Sequence, residues 1–585
     1  MVVAVALAFA DASVVALALP ELYIEFHASI VGVSWVLTVY AAVAAVGGLV
    51  SRPITARLGS GRTTAVGLVL FAAASVACGV APSLEVLLVA RAVQAVGAAA
   101  LLEGSLGVLA AEPGDTAVAR RWWMAAGTFG AVLGPALGGV VTQLADWRAV
   151  FLVQAPITLL AVPAAWSARG RVDAETSTKR RPAGALLADL AHVATFAGLV
   201  GALFLGVLLL VVVWGLEPIA GALVVSALPI GTFAGRSLGA RASGRVAVVS
   251  GAVLLATGLL TLALIPAVSE RWVAAGLLVA GVGFGALSTV LGPIAVPADV
   301  DLGVAAARSS AARHLGLVIG LVVVAPILAS GVEAGTDRAV LNGTATVLDA
   351  RTDLVQKVRV AWDVRTLIVE ADAAEVPELD PIFAQYGDGD DVRTLQRDLE
   401  NAVTSSITRG FRTAFLAGAV LALLAAIPGT MALSRAANAK PGVPWASGAL
   451  VAATVVALIV PAIAWRGDAR DFGAYTPVDA CEAGPDPFSG GGLDGLAQRA
   501  LLGGLNGAAC ELGTTREELV LSLDPDGTVS DREWDDETIE RALKAGAKRA
   551  IADADERDSI PGLVADALRF AVDRAPLGQL IEWLT

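Results

Sequence analysis

The sequence predicts an all-α polytopic membrane protein: two six-helix halves, one extra spanning helix and a small helical C-terminal domain. Composition and hydropathy are the basis. Of the 585 residues, 56% are hydrophobic and only 16% are charged, whereas soluble domains carry about 25% charged residues. The mean hydropathy is +0.72. Apolar runs of about 20 residues, long enough to cross a bilayer core of roughly 30 Å, recur along the chain.

Thirteen of these runs are long enough to span a membrane. The first contains an aspartate and has no basic residues before it, which indicates a spanning helix rather than a cleaved signal peptide. The runs lie near residues 2–20, 31–51, 63–81, 84–109, 121–143, 148–166, 192–214, 218–238, 246–266, 272–297, 303–330, 411–434 and 445–465.

The connections between the runs alternate in charge. Basic residues fill one set: Arg52, Arg57, Arg62, Arg169, Arg171, Lys179, Arg180, Arg181, Arg236, Arg241, Arg245, Arg435 and Lys440. Acidic residues mark the other set: Glu21, Glu25, Glu85, Asp146, Glu217 and Glu270. Short cytoplasmic loops are rich in Lys and Arg. We therefore expect a multi-pass protein of the cell membrane with a cytoplasmic N-terminus and, because the number of spans is odd, an extracytoplasmic C-terminal domain.

A basic linker, 167–186, divides the spans into two groups of six. The first half is then 1–166 and the second is 187–434, as in transporters with two pseudo-symmetric halves. The second half includes an extracytoplasmic loop, 331–410. A thirteenth spanning helix at 444–465 and a helical domain at 466–585 follow.

The two soluble additions are acidic. Residues 331–410 carry 15 acidic and 8 basic side chains, and residues 466–585 carry 24 and 12. This balance argues against a nucleic-acid partner. It leaves a lipid bilayer, a small-molecule substrate and protons as expected partners, with an envelope partner of the C-terminal domain as a further candidate.

Two of the three cysteines, Cys481 and Cys510, lie in the tail that we expect on the oxidising side of the membrane. A disulfide between them would close a loop of about 30 residues and stabilise the domain by about 3 kcal/mol. The alternative is two free thiols. Cys78 lies inside an apolar run, where it serves as a small apolar residue.

The first run contains a single carboxylate, Asp11, near its middle. A carboxylate inside the membrane is costly and marks a functional candidate. Because burial raises the proton affinity of a carboxylate, Asp11 could exchange a proton near neutral pH. The alternative is a structural pairing with a neighbouring helix.

The fourth run contains Arg91, Gln94 and Gly97 at three-residue spacing, which places them along one helix face. A buried guanidinium needs a carboxylate or carbonyl partner. Glu103 is a second ionisable group, about 18 Å from Arg91 along the helix axis. Arg91 and Glu103 join Asp11 as proton-coupling candidates, although Glu103 could instead sit in a watery vestibule without chemistry.

The fifth run is rich in glycine around Pro135. Glycines three to four residues apart form a flat face for close helix contact, and the proline introduces a bend. The residues are Gly127, Gly130, Gly134, Gly138 and Gly139.

Together these motifs resemble the major facilitator superfamily, specifically the drug:proton antiporter group related to fourteen-helix multidrug exporters. Its first helix carries an aspartate, an apolar run and Ala-Leu-Pro, as Asp11 to Pro20 do. Arg91, Gln94 and Gly97 resemble the motif on the fourth helix of this group. The Gly130–Gly139 stretch, which includes Pro135, resembles its antiporter motif on the fifth helix. The resemblance covers residues 1–434. The tail resembles extensions of some actinobacterial members.

The chain departs from that group in three ways. The loop that contains Arg57, Gly59 and Arg62 resembles the cytoplasmic gating motif of the group, but Ala56 occupies the position where that motif usually has an aspartate. The two helices usually inserted between the halves are absent. Glu103 stands where the group has an uncharged residue or proline.

The stretch from Ser522 to Glu533 fits the register of a calcium-binding loop except at its first position. A turn followed by a helix-capping box explains it more simply, so no cofactor is expected. The chain lacks nucleophile and phosphate-loop motifs, and its three histidines lie far apart, which argues against an enzyme.

The resemblance implies a proton-coupled antiporter that exports amphipathic or cationic small molecules by alternating access. Asp11 would carry the proton, and Arg91 would tune that carboxylate or orient a proton path. Export of an envelope lipid or metabolite is an alternative. A receptor or scaffold that kept the fold without transport is another.

Overall fold

The structure is a computed structural model. It describes residues 1–50, 57–111, 116–168, 183–297, 302–350, 379–386, 389–436, 442–482, 493–522 and 534–575, with isolated positions 55, 352, 357, 359, 360, 363, 364 and 367.

Helices account for all regular structure in the described part of the chain. The first span joins the helix Val2–Val14, a 3-10 turn at Val15–Ala18 and the helix Leu19–Glu25, which together we name α1. The next spans are α2 (Ile30–Val50), α3 (Ser60–Gly79), α4 (Leu84–Ala111), α5 (Ala117–Leu144), α6 (Trp147–Ser167), α7 (Ala183–Val213), α8 (Pro218–Gly239), α9 (Gly244–Ala263), α10 (Glu270–Ala295), α11 (Gly303–Asp349), α12 (Asp390–Ser434) and α13 (Pro444–Arg466).

These lengths confirm the all-α polytopic fold. Among the described residues, twelve helices are long and apolar enough to cross a membrane, and α1 brings the number to thirteen when its two parts count as one span. Local sequence explains where several begin. The Asp146 side chain accepts a hydrogen bond from the backbone N–H of Ala149 at 3.0 Å and caps α6. Prolines occupy the first helical position of α8 and α13.

The chain forms two compact units. Unit 1 contains the described residues of Met1–Ala334 and Thr408–Phe472, and therefore the spanning helices of both halves. Unit 2 contains the described residues of Gly335–Ala371, Val376–Ile407 and Gly473–Thr585. The helices α11 and α12 contribute residues to both. The two acidic parts that the sequence analysis treated separately thus belong to one unit.

Unit 2 contains a short helix, Asp380–Phe383, and four helices of the tail: α14 (Leu493–Leu512), α15 (Arg516–Ser522), α16 (Asp536–Glu556) and α17 (Gly562–Arg574). Polar contacts join tail and loop. The Arg516 guanidinium donates to the Asp349 carboxylate at 2.7 Å, and the Gln498 amide donates to the Thr352 carbonyl at 2.9 Å. The Asn342 amide of α11 donates to the Ser406 hydroxyl of α12 at 2.8 Å.

In unit 2, Cys481 and Cys510 are joined in a disulfide. Small apolar side chains surround it, including Ala480, Ala508 and Ala509. The calcium-loop candidate, apart from Ser522, lies outside the described residues. Within the described residues, no group of three or more His, Cys, Asp or Glu side chains could hold a metal ion.

Candidate functional site

The side chains of Asp11 and Arg91 meet in the interior of unit 1, where both are fully buried. The Arg91 Nη1 group donates a hydrogen bond to Asp11 Oδ2. Its Nε–H donates to the Val36 carbonyl on α2 at 3.0 Å. The carboxylate of α1 and the guanidinium of α4, singled out separately in the sequence, therefore form one ion pair.

Gln94 completes this pair. Its amide nitrogen donates to Asp11 Oδ1 at 3.2 Å and to the Ser75 hydroxyl on α3 at 2.8 Å. Its carbonyl oxygen accepts from Arg91 Nη1 at 2.7 Å. Gln94 thus fixes both partners, because the three-residue spacing on α4 sets it one turn from Arg91.

The ring of Tyr40 covers the guanidinium of Arg91. The Arg91 Cζ atom lies 4.3 Å from the Tyr40 ring centroid, and the Tyr40 hydroxyl donates to the Ala8 carbonyl at 2.9 Å. We refer to Asp11, Ser75, Arg91, Gln94 and Tyr40 as the charge network. Within this network the Asp11 carboxylate links α1 to α4 through its contacts with Arg91 and Gln94.

Glu103 lies elsewhere on α4. It follows Arg91 by twelve residues, about 18 Å along the helix axis, and is only 2% exposed. The structure does not bring it together with the charge network. Its side chain is almost completely shielded from solvent in this structure.

The glycines of α5 bring this helix against α1. A Cβ atom at Gly130 would lie 2.2 Å from the Ala6 carbonyl oxygen, and one at Gly138 would lie 2.1 Å from that of Val14. Such distances leave room for no side chain, so α5 and α1 touch through their backbones. Gly134 faces α1 in the same way, while Gly139 faces Pro218 of α8. Pro135 lies inside α5.

The other motif residues occupy helix contacts and surfaces. A Cβ atom at Gly97 would lie 2.5 Å from the Phe71 backbone nitrogen, so this glycine permits the close packing of α4 on α3. Arg57 and Arg62 are exposed, and Gly59 precedes α3 with a φ of 79° that favours glycine. Ala56 and the basic linker Arg169–Arg181 lie outside the described residues.

Sequence reasoning missed Arg313 on α11, an arginine buried within a spanning helix as Arg91 is. Arg313 and His314 are each 2% exposed. Both line a cavity of about 30 Å³ between helices of the two halves. The rule that singled out Asp11, that an ionisable residue within a span is a functional candidate, applies equally to Arg313 and would have found it.

Apart from Ser13, the rest of the cavity lining is apolar. Phe9 and Ser13 of α1 line one side, and Phe196, Val200 and Leu203 of α7 line the other. The His314 ring stacks on the Phe9 ring, with 5.9 Å between the two centroids. The centroid of the Tyr40 ring lies 6.0 Å from that of His314. The cavity and the charge network are thus adjacent, because Tyr40 of the network lies close to His314 of the cavity lining.

The spanning helices of this chain have a counterpart in known proteins. The sequence profile of the Major Facilitator Superfamily matches residues 1–323, more than half of the chain. The chain belongs to the Major Facilitator Superfamily. A solved bacterial homologue of the human lysosomal transporter Spinster, in an inward-facing and occupied conformation, superimposes with a TM-score of 0.52 at 16% identity. That match covers 74% of this chain and 96% of the Spinster homologue, and it shows the fold.

Similar curated proteins are resistance and efflux proteins. The multidrug resistance protein Stp of Mycobacterium tuberculosis (strain CDC 1551 / Oshkosh) is 36% identical over 26% of this chain and 29% of its own length. The methylenomycin A resistance protein of Bacillus subtilis (strain 168) is 32% identical over 28% of this chain and 36% of its own length. The chain therefore matches only about a third of the length of these relatives. The matches confirm the family resemblance on which the sequence analysis relied.

Proposed function

We propose that this protein exports amphipathic small molecules in exchange for protons by alternating access. The charge network carries the proposal: a buried carboxylate on α1 binds Arg91 and Gln94 of α4, and we expect this contact to change when the carboxylate takes up a proton. The names of the resistance proteins that it resembles support a drug-like substrate.

In this mechanism a substrate enters the cavity from the cytoplasm or inner leaflet while Asp11 is ionised and held by Arg91. A proton arriving from outside neutralises Asp11, releases Arg91 from the pair and favours the conformation that discharges the substrate outward. The cavity of about 30 Å³ has room for about two water molecules. Because drug-sized ligands need roughly 300–1,000 Å³, loading requires the lining helices to separate, as alternating access supplies.

A second candidate is the export of an envelope lipid or metabolite, with unit 2 receiving the cargo on the outside. A cavity within unit 2 favours it. This cavity measures about 790 Å³ and includes Asn342, Asp349, Asp391 and Asp398 in its lining. Asp391→Asn with Asp398→Asn should then impair delivery to an external acceptor while efflux into buffer persists. Equal loss of both would remove unit 2 from the delivery step.

Transport itself is tested with the whole protein in proteoliposomes loaded with a fluorescent amphiphile such as a dansyl derivative. We expect a pH gradient, acidic on the release side, to drive transport, and a protonophore to abolish it. Gradient-independent transport would contradict proton coupling. Binding without any transport would favour a receptor or scaffold.

A further inference from the structure

Arg313 of α11 is a buried cation with unsatisfied hydrogen-bond donors. Its side chain is only 2% exposed, and its Nε and Nη1 groups have no hydrogen-bond partner among the described residues. Three aromatic rings face the guanidinium instead. Its Cζ atom lies 5.2 Å from the centroid of Phe9, 5.5 Å from that of Trp123 and 5.7 Å from that of Phe196.

These neighbours do not balance the cost of burying the charge. Each cation–π contact contributes far less than the desolvation of a guanidinium costs, and arginine remains protonated in proteins. The charged groups that act on Arg313 are Asp189 of α7, which attracts it, and Arg236 of α8, which opposes it. Among the described residues, Arg313 Nε and Nη1 form no hydrogen bond to an acceptor, so neither of these two nitrogens binds Asp189 directly.

The absence of a side chain at Gly127 makes room for the Arg313 guanidinium. A Cβ atom at Gly127 of α5 would lie 2.2 Å from Arg313 Nη1 and 3.1 Å from the Phe9 ring. Gly127 precedes the antiporter motif by one turn, so its lack of a side chain admits the guanidinium between α5 and α1. The guanidinium therefore lines the cavity, and two of its donor nitrogens lack a hydrogen-bond acceptor among the described residues.

We propose that Arg313 binds the anionic group of the transported molecule, so that the substrates are amphipathic anions, such as aryl or alkyl carboxylates, rather than cations. The aromatic and aliphatic lining would hold the apolar body of the ligand, and the guanidinium its charge. A carboxylate suits it because a guanidinium offers paired donors in a planar fork. This inference rests on the proposed function and narrows its substrate class.

A cationic ligand would meet the opposite situation. It would bring a second positive charge into a cavity that already buries one, in surroundings of low dielectric constant where like charges repel strongly. Asp11 would not compensate, because Arg91 and Gln94 occupy both of its oxygens. The charges at the cavity therefore favour the anionic class over the cationic one.

The test compares three probes on the purified full-length protein at pH 8: dansyl-undecanoic acid, its methyl ester and the corresponding primary amine. Binding is measured by energy transfer from tryptophan to the dansyl group, which Trp123 beside Arg313 makes sensitive to this cavity. We expect the acid to bind about tenfold more tightly than the ester, the equivalent of one charge-assisted hydrogen bond. Equal affinities for the acid and the ester, or tighter binding of the amine, would overturn the proposal. This result needs only the wild-type protein.

Variants then assign the preference to one residue. Arg313→Gln should bind the acid and the ester equally, whereas Arg313→Lys should keep part of the preference. The matched control is Arg412→Gln, because Arg412 also carries an unpaired nitrogen and faces an aromatic ring, Trp465, away from the cavity. An unchanged preference in Arg313→Gln would overturn the assignment. If that variant does not fold, Gly127→Ala displaces the same guanidinium and should reduce the preference.

Two sources of such an anion can be separated in the same assay. Competition by phosphatidylglycerol, but not by phosphatidylcholine, would identify an anionic lipid as the source. Competition by neither would identify a free carboxylate amphiphile.

Failure of this inference differs from failure of the proposed function. Gradient-driven transport of the amine probe in place of the acid would contradict the anionic substrate class and leave proton-coupled export intact. Selective binding of the acid with no transport of any probe would contradict export and leave the site intact.

Discussion

Unit 1 contains two regions in which an arginine is buried to a similar extent but is surrounded by different groups. In the first half, Arg91 contacts the carboxylate of Asp11, the amide of Gln94 and a backbone carbonyl. In the second half, Arg313 is enclosed by three aromatic rings, and two of its nitrogens have no acceptor in the part of the chain that the structure describes.

The difference shows how one residue type can serve two purposes in the same fold. A guanidinium paired with a titratable carboxylate changes its surroundings when the carboxylate binds a proton. A guanidinium without an anionic partner in the chain can form an ion pair only with an anion that binds from outside. On this account the first half responds to protons and the second to substrate, and α1 connects them because Asp11 and Phe9 lie on the same helix.

We expect the largest loss of stability when the ion pair of Asp11 and Arg91 in the first region is broken. Asp11→Asn would leave the Arg91 cation buried without its counter-ion, at a cost of about 3–5 kcal/mol. Thermal unfolding in detergent measures this loss. The double variant Asp11→Asn with Arg91→Gln removes both charges and should recover much of the stability. If the double variant is as unstable as the two single losses combined, the ion pair is not the source of the effect.

Unit 2 provides a comparison outside the spanning helices. Cys510→Ser should destabilise it by about 3 kcal/mol, since the Cys481–Cys510 bridge spans 29 residues. Hydrogen exchange of the α14 and α16 amides reports the change. Cys481→Ser and the double variant serve as controls and should match Cys510→Ser. Additive losses would show that each side chain acts independently of the bridge.

The same bridge tests the topology that we propose. After reduction of intact cells, a membrane-impermeant maleimide should label Cys510, because we expect unit 2 outside. Labelling that requires lysis would place the tail in the cytoplasm and reverse the orientation.

We expect the next largest loss of stability when the close contact of α5 with α1 is disturbed. Gly130→Ala would place a methyl group 2.2 Å from the Ala6 carbonyl oxygen, and relieving that clash should cost about 1–3 kcal/mol. Gly448→Ala on α13 is the matched control, because a Cβ atom there has no neighbour within 4 Å. Equal melting temperatures for the two variants would show that close α5–α1 packing does not limit stability.

Glu103→Gln should have the smallest effect. Glu103 lies far from the charge network along α4, so we expect efflux to change by no more than about threefold, or roughly 0.7 kcal/mol in the barrier. Initial efflux rates of the reconstituted variant measure it. A loss as complete as that of Asp11→Asn would transfer the coupling role to Glu103.

Much of this arrangement could be predicted from the sequence because hydropathy and charge are local properties. The spans, the polar face of Arg91 and Gln94, and the glycine face of α5 all follow from spacing within one segment. The pairing of Asp11 with Arg91 does not, since it depends on how separate helices pack. The unpaired state of Arg313 was also beyond reach, because it depends on which acceptors the folded chain leaves out of range. The common unit formed by loop and tail required contacts between residues far apart in the chain.

The central claim, that Asp11 carries the coupled proton, is tested most directly by separating driven transport from passive exchange. Proteoliposomes containing wild type or the charge-neutral variant Asp11→Asn with Arg91→Gln are assayed twice: for efflux of the dansyl carboxylate under an imposed pH gradient, and for its exchange without one. The account predicts that the variant retains exchange and loses gradient-driven efflux, whereas wild type shows both. Gradient-driven efflux at the wild-type rate in the variant would contradict it.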